Sequence, residues 1–398
     1  MKIVMLCDFY NETLEYQENL LVKYYRKHGH EVTVITSTFD SLFDYYTDRH
    51  DNRAPERRYH DHGALIIKLP YRYNILNRLR AYTKIDGILD EAAPDLIYVH
   101  DIMLNLPEAV RYVKRHPQCR MIMDYHADYS NSGRNALSLR VLHGICRKWF
   151  LDRARPHLSR IFPIVPAGAE FLHEIYKVPH SEMEVLPLGA DLDLVRAIAD
   201  SGERERVRAR LGIPADAIAI FTGGKLTAAK RTELLLEAVG RLKHLPLHVI
   251  VVGDASELDA EYKRSLLDLA RGRPEIHFAG WLGREEIYRH LAASDLAVFP
   301  ASQSILWQQA IAMGLPLIAG NTGHQDISYL NLADNIVVLQ GAQISVDRLA
   351  EVIGEIAGSR TRMNAMAAGA RRVAAEHLDW NLLIERTLRY NRREESSN

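Results

Sequence analysis

Cysteine is scarce: 398 residues hold three, Cys7, Cys119 and Cys146. They lie far apart with no CxxC spacing, which excludes a zinc ribbon or a thiol redox motif. Charge of one sign is also missing. Fifty basic residues stand against 51 acidic ones, for a net charge of −1, so no polyelectrolyte field points to nucleic acid and none is expected as a partner. No window approaches the ~18–20 apolar residues needed to span a bilayer. The start, Lys2–Cys7, resembles the opening of a signal peptide, but Asp8 ends the apolar run and no small-residue cleavage pattern follows. It reads as a first core strand, and the protein is expected to be cytoplasmic. Neither GxxxxGK[ST] nor GxGxxG occurs, which excludes a Walker A loop and the dinucleotide fingerprint.

What is present is an alternation. Apolar strand-like runs at Lys2–Cys7, Glu31–Thr36, Ala64–Leu69, Asp95–Val99, Arg120–Asp124, Arg160–Val165 and Glu184–Leu186 are separated by helix-like stretches, including 78–91 and 134–155. Residues 37–62 read as a long polar loop. The linker Leu186-Pro187-Leu188-Gly189-Ala190-Asp191 breaks the rhythm, and a second series begins at Ile218–Thr222. Strands separated by helices predict βαβ units and a mainly parallel sheet. The length suits two such domains. The expected organisation is a Rossmann-like domain over 1–186, a second over 187–376, a helix near 377–394 that packs back on the first, and a frayed tail over 392–398.

Polar and glycine residues collect at predicted strand ends, where open α/β sheets bind ligands. Phe221-Thr222-Gly223-Gly224-Lys225-Leu226-Thr227-Ala228-Ala229-Lys230 follows the first strand of the second series. Its glycines let backbone approach a ligand, and its two lysines can pair with a diphosphate, although a tight turn with two solvated lysines has the same composition. Gly253-Asp254 and Gly280-Trp281-Leu282 end the next two strands. Trp281 either stacks on a base or packs within its own domain, and packing is the plainer reading. Val298–Gly320 reads as strand, loop, helix from Ile305 to Met313, turn and strand, with Gly314 as C-cap and Pro316 beyond it. In the first half His126 follows a buried strand, where it can bond a substrate hydroxyl or act as acid or base. The polar loop 11–17 follows the first strand in the same manner.

Between 134 and 160 stand seven basic residues, Arg134, Arg140, Arg147, Lys148, Arg153, Arg155 and Arg160, against the single acid Asp152. Leucines, Ile145, Trp149 and Phe150 are interleaved, and Tyr71–Arg80 also mixes aromatic and basic residues. A core helix with a solvated basic face would look like this. So would a basic amphipathic surface on an anionic membrane.

These segments in this order resemble the GT-B glycosyltransferases, specifically the retaining family-4 group that uses nucleotide sugars. The resemblance implies an α/β fold of two Rossmann-like domains facing across a cleft, a nucleoside-diphosphate-sugar donor held by the second domain, and a sugar or lipid-linked acceptor held by the first. No cofactor and no metal are implied. By resemblance, Gly223, Gly224, Lys225 and Lys230 match the family's GR…K diphosphate-holding stretch, with Lys replacing its Arg. Asp254 matches its strand-end Gly-Asp, and Phe278 to Leu282, with Gly280 and Trp281, its nucleobase segment. His126 matches its histidine near the donor sugar. Loop 11–17 stands where the family has a glycine-rich loop, so Asn11, Glu12, Tyr16 and Gln17, together with Asp128, are the implied donor and acceptor contacts. The family's paired glutamates, E-x7-E, are absent: the second falls on Gln309 and the first near Ala301 to Ser304. Ser302, Gln303 and Ser304 would supply polar groups to the sugar, Gln309 would accept from the ribose through its amide, and the amides of Ile305 and Leu306 would meet the diphosphate. The lost glutamates keep a non-catalytic partner subunit open beside the transferase, as the GT-B fold keeps an epimerase or hydrolase.

Overall fold

The computed structural model describes residues 1–13, 16–39, 54–75, 78–132, 135–301, 304–323 and 326–390. The expected frayed tail, 392–398, therefore lies outside the described residues. The chain divides into two compact units, Met1–Pro187 with Trp380–Asn398, and Leu188–Asp379.

In the first unit, β1 (Lys2–Leu6) is followed by α1 (Gln17–Lys27), β2 (Glu31–Ser37), β3 (Arg57–Asp61), β4 (Ala64–Leu69), the pair β5 (Tyr71–Ile75) and β6 (Leu79–Tyr82), α2 (Asp86–Ala92), β7 (Leu96–His100), α3 (Leu106–Arg115) and β8 (Arg120–Tyr125). A π-helix over Ser138–Arg147 runs into α4 (Lys148–Ala154), then β9 (Arg160–Pro163) and α5 (Pro166–Tyr176). The seven-stranded sheet has the order β3-β4-β2-β1-β7-β8-β9, and only β3 runs antiparallel to its neighbour. Strands such as β1, buried and apolar from Ile3 to Leu6, alternate little because helices cover both faces of the sheet.

Three expectations fail here. Residues 78–91 are not one helix: Leu79–Tyr82 pairs with Tyr71–Ile75 as a hairpin, and the helix starts at Asp86. Glu184–Leu186 is no strand; Met183 makes an isolated bridge to Ile161. The predicted loop 37–62 also contains a strand, β3, while 40–53 lie outside the described residues.

In the second unit, α6 (Leu192–Ala199) and α7 (Glu203–Leu211) lead into β10 (Ile218–Gly223), α8 (Thr232–Arg241), β11 (Leu247–Val252), α9 (Ala260–Leu269), β12 (Ile276–Gly280), α10 (Arg284–Ala292), β13 (Leu296–Phe299), α11 (Leu306–Ala312), β14 (Leu317–Asn321), β15 (Ile336–Gln340), α12 (Val346–Ala357) and α13 (Arg360–Val373). The six strands are parallel in the order β12-β11-β10-β13-β14-β15. The order reverses between β10 and β13, which makes that the topological switch point where such sheets take ligands.

The last helix, α14 (Trp380–Arg389), belongs to the first unit. Trp380, Leu383 and Ile384 are buried in that unit's core. Tyr25 and Thr387 hydroxyls meet at 2.5 Å, and Arg386 Nε pairs with Glu184 at 2.7 Å.

Candidate active site

In the second unit the ends of β10, β11 and β12 are tied together. Gly224 N donates to Val252 O at 2.9 Å, and Gly253 N to Gly280 O at 2.7 Å. Gly224 has φ +114° and Gly253 φ +118°, values that side chains with a Cβ avoid. A Cβ on Gly253 would lie 1.9 Å from the Gly224 carbonyl oxygen. The two turns pack backbone on backbone, and no other residue fits.

Around Gly224 the polar groups converge. The position of a Cβ there is 3.6 Å from Ser304 Oγ and 3.8 Å from Lys230 Nζ. Thus β10's turn and the loop after β13, the two elements flanking the switch point, bring a hydroxyl and an ammonium to one bare stretch of backbone. Burial lowers the Lys230 pKa from 10.5 to about 8. Desolvation is the cause of that shift, and an anion beside Nζ would oppose it. Affinity for a nucleoside diphosphate should therefore fall as pH rises through about 8, and binding there should take up a proton. Calorimetry in two buffers of different ionisation enthalpy measures this directly. Equal observed heats in the two buffers would mean that no proton is taken up and that Lys230 is not the titrating group.

The remaining expected donor contacts are placed unevenly. Lys225 Nζ is 3.7 Å from Asp259 Oδ2 and is partly exposed. Asp254 is turned to Lys263, whose Nζ donates to it at 2.6 Å, and to the Ala255 amide. Those two bonds hold its carboxylate below the ordinary range. Trp281 is 62% exposed, against the packing reading, while Leu282 packs at the edge of the core. α11 begins at Leu306 rather than Ile305, and the Leu306 amide already donates to Ser304 Oγ at 3.3 Å. Gln309 lies buried on the inner side of α11. Ser302 and Gln303 lie outside the described residues.

In the first unit His126 belongs to a larger buried cluster that the sequence reading missed. In the register of β7 with β8, His100 stands opposite Asp124. Asp124 is fully buried, and its Oδ2 lies 2.9 Å from His100 Nδ1, 3.4 Å from His126 Nε2 and 2.9 Å from the Tyr98 hydroxyl. Its Oδ1 accepts from the Asp101 amide at 3.2 Å, and Asp101 holds a left-handed φ of +66° to make that contact. On its far side His100 Nε2 is 3.3 Å from Glu18 Oε1. The two imidazoles lie 4.1 Å apart.

The electrostatics follow from this sandwich. Burial alone would lower the pKa of His100, but Asp124 and then Glu18 outweigh it and raise it to about 10. Burial would raise the Asp124 pKa, yet His100 and then His126 hold it well below the carboxylate range. At neutral pH His100 is an imidazolium held between Asp124 and Glu18, with His126 at the outer edge of the cluster. Gln17 joins it by donating from Nε2 to the Tyr98 hydroxyl at 3.5 Å. His100, Asp124 and His126 also have the donor types and proximity of a three-ligand metal cluster, and a cation bound there would displace the His100 proton.

The other expected residues of this unit stay in their loops. Asn11 Oδ1 accepts from the Thr13 amide at 2.9 Å, and Glu12 accepts from the Tyr59 hydroxyl at 3.3 Å. Tyr16 caps α1 with its amide on Asn19 Oδ1 at 3.2 Å. Asp128 is buried and accepts from the Ser130 and Asn131 amides, which shapes the loop behind His126.

Two α/β units of parallel sheet, one with a glycine-lined switch point beside a half-buried lysine, define the GT-B class of nucleotide-binding folds. Residues 19–194 match the family described as Glycosyltransferase Family 4, and residues 217–357 match Glycosyl transferases group 1. The chain belongs to the group 1, family-4 glycosyltransferases. It is 29% identical over 222 residues to the D-inositol 3-phosphate glycosyltransferase of Rhodococcus erythropolis, covering 53% of this chain and 48% of that one. It is 26% identical over 217 residues to the GDP-mannose-dependent alpha-(1-6)-phosphatidylinositol monomannoside mannosyltransferase of Mycobacterium tuberculosis, covering 52% and 54%. The chain thus spans about half the length of the curated relatives it matches. The crystal structure of Anabaena HepE in complex with UDP superposes over 98% of this chain and 100% of its own, with a TM-score of 0.69 and 18% identity.

Proposed function

We propose that the protein transfers a hexosyl or N-acetylhexosaminyl group from a nucleoside-diphosphate sugar to an acceptor hydroxyl, with retention of configuration, in bacterial glycan, polysaccharide or glycolipid synthesis. The observation that carries this reading is the convergence of Lys230 Nζ and Ser304 Oγ on the bare backbone of Gly224. The UDP held by HepE supports a nucleotide donor. The M. tuberculosis mannosyltransferase, whose name specifies a phosphatidylinositol mannoside, supports a lipid-linked acceptor. Such an acceptor would bring the protein to the inner face of a membrane, the partner expected for residues 134–160. Among the described residues no helix is long and apolar enough to cross one.

In this reading the second unit binds the donor, with Lys230, and Lys225 beside it, offsetting the charge that develops on the leaving diphosphate. His126 orients the donor sugar, and Asp124 and His100 fix the ring of His126. Asp124 is not assigned a nucleophilic role, because it is enclosed by His100, His126 and Tyr98. With ammonium groups on the phosphates no metal is needed. Incubation with UDP- and GDP-sugars and a panel of lipid and sugar acceptors tests the whole. Product should form with one donor, and EDTA should leave its rate unchanged. Strong inhibition by EDTA would remove the metal-free part, and release of free sugar without acceptor would favour a hydrolase.

A second reading has its own observation: the family's second glutamate is Gln309 here and its first has no acidic counterpart. A non-catalytic partner subunit would bind neither UDP nor GDP, and titration with both separates the two readings.

A further inference from the structure

The π-helix and α4 carry a row of uncovered apolar side chains. Leu137 is 72% exposed, Val141 42%, Ile145 63% and Trp149 48%, and their spacing of four residues sets them along one side of the helix. Tyr73 and Ile75, on the adjoining hairpin, are each 50% exposed. The two elements touch where Arg147 Nη2 donates to Arg78 O at 3.2 Å, and between them lies an open groove of about 540 Å³ lined by residues of both, among them Ile75, Leu79 and Leu142. These six side chains account for nearly half of the exposed large hydrophobics of the described residues, so the patch is a concentration and not scatter.

The inner side of the same helix is held firmly. His143 is fully buried, with Nδ1 2.7 Å from the Tyr176 hydroxyl and Nε2 2.9 Å from Ser132 Oγ. Burial lowers its pKa to about 4. The exposed row is therefore the outer face of an anchored helix.

Charge says what covers it. Arg140, Arg147 and Arg153 lie on the helix, and Arg72 and Arg78 on the hairpin. From 138 to 151 there is no acid, and Asp152 is engaged by Lys148 Nζ at 2.9 Å. The Arg153 guanidinium lies 3.5 Å over the Trp149 ring, and that of Arg72 lies 5.0 Å over Tyr73. Aliphatic side chains between arginines, with Trp and Tyr under guanidinium groups, match the boundary between acyl chains and phosphates. A second copy of the chain would oppose this positive face with an identical one. A nucleic acid would leave Leu137, Val141 and Ile145 with no use, since they neither stack nor bond to bases.

We infer that the row Leu137–Val141–Ile145–Trp149, with the hairpin residues Tyr73 and Ile75, inserts into the surface of an anionic lipid bilayer, with the surrounding arginines on the lipid phosphates. This rests on the proposed function only in making the acceptor reachable at a membrane; the docking itself needs no transfer reaction.

Flotation of the full chain tests it, on vesicles of equal parts phosphatidylglycerol and phosphatidylcholine and on phosphatidylcholine alone. The chain should float with the anionic vesicles at low salt and not with the neutral ones. The double variant Ile145→Ser/Trp149→Ser should lower the bound fraction about tenfold or more, and Arg140→Glu/Arg153→Glu likewise. All four side chains point outward, so Tm should be unchanged. Failure of the wild type to float, or equal flotation of the apolar variant, overturns the inference. So does gel filtration in which the wild type is a dimer that the apolar variant dissociates. Transfer to a soluble acceptor should be equal in wild type and variant. A chain that floats but transfers to no acceptor would remove the proposed function and leave the docking surface standing.

Discussion

Replacing Lys230 with Ala should lower kcat/KM by about 100-fold or more, the loss measured when one preorganised group facing a developing charge is removed. Lys230 is suited to a large effect because its Nζ is desolvated, as its pKa of about 8 records. In a dry site the attraction between an ammonium and a phosphate is several times that in water. Lys230→Arg should recover only part of the rate, since a planar fork occupies a different volume from a point charge beside Gly224. Initial rates with saturating acceptor and varied donor measure both. Turnover of Lys230→Ala at the wild-type level would place the diphosphate elsewhere.

Asp124→Asn should be the most destabilising single polar change in the first unit, at about 3 kcal/mol or more, because it leaves a buried imidazolium without its main partner. The pH dependence identifies the cause. The Asp124 pKa is depressed in the folded state, so its contribution is present above its ordinary value of 3.8 and is lost as pH falls through the lower folded value. The His100 pKa is raised, so its contribution is complete below 6.5 and is lost as pH rises through about 10. The pair thus favours the folded state most between about pH 4 and 6.5. Urea melts at pH 5, 7 and 9 should show the wild type losing stability toward pH 9, and Asp124→Asn losing less over the same interval. A parallel dependence in both proteins would show that the His100–Asp124 pair does not set it. His126 would also lose its support, so activity should fall with stability.

What could be read from sequence was whatever is local. Gly223, Gly224 and Lys230 stand together in the chain, and Gly253 and Gly280 each end a predicted strand, so the loops at this end of the sheet could be picked out. His126 was legible because it directly follows an apolar strand. His100 and Asp124 were not, because what joins them is a register between two strands separated by a helix, and what adds Glu18 is the placement of β1 beside β7. The sequence pattern ended that strand at Val99, one residue short of the histidine that matters. Burial was likewise invisible: two lysines five apart look alike in sequence, yet Lys230 is desolvated and Lys225 is near the surface beside Asp259. The hairpin over 71–82 was missed because short antiparallel strands with basic residues mimic a helix face in composition.

The return of α14 to the first unit has a consequence for synthesis on the ribosome. The first unit is interrupted: Trp380, Leu383 and Ile384 belong to its core but are made only after the second unit. The second unit is continuous from Leu188 to Asp379 and emerges whole before that helix does. Domains usually mature in the order in which they are made. Here the order is inverted: the part made first has to wait, with an apolar face open beside β1 and α1, until the part made second is complete and the final helix arrives to close it.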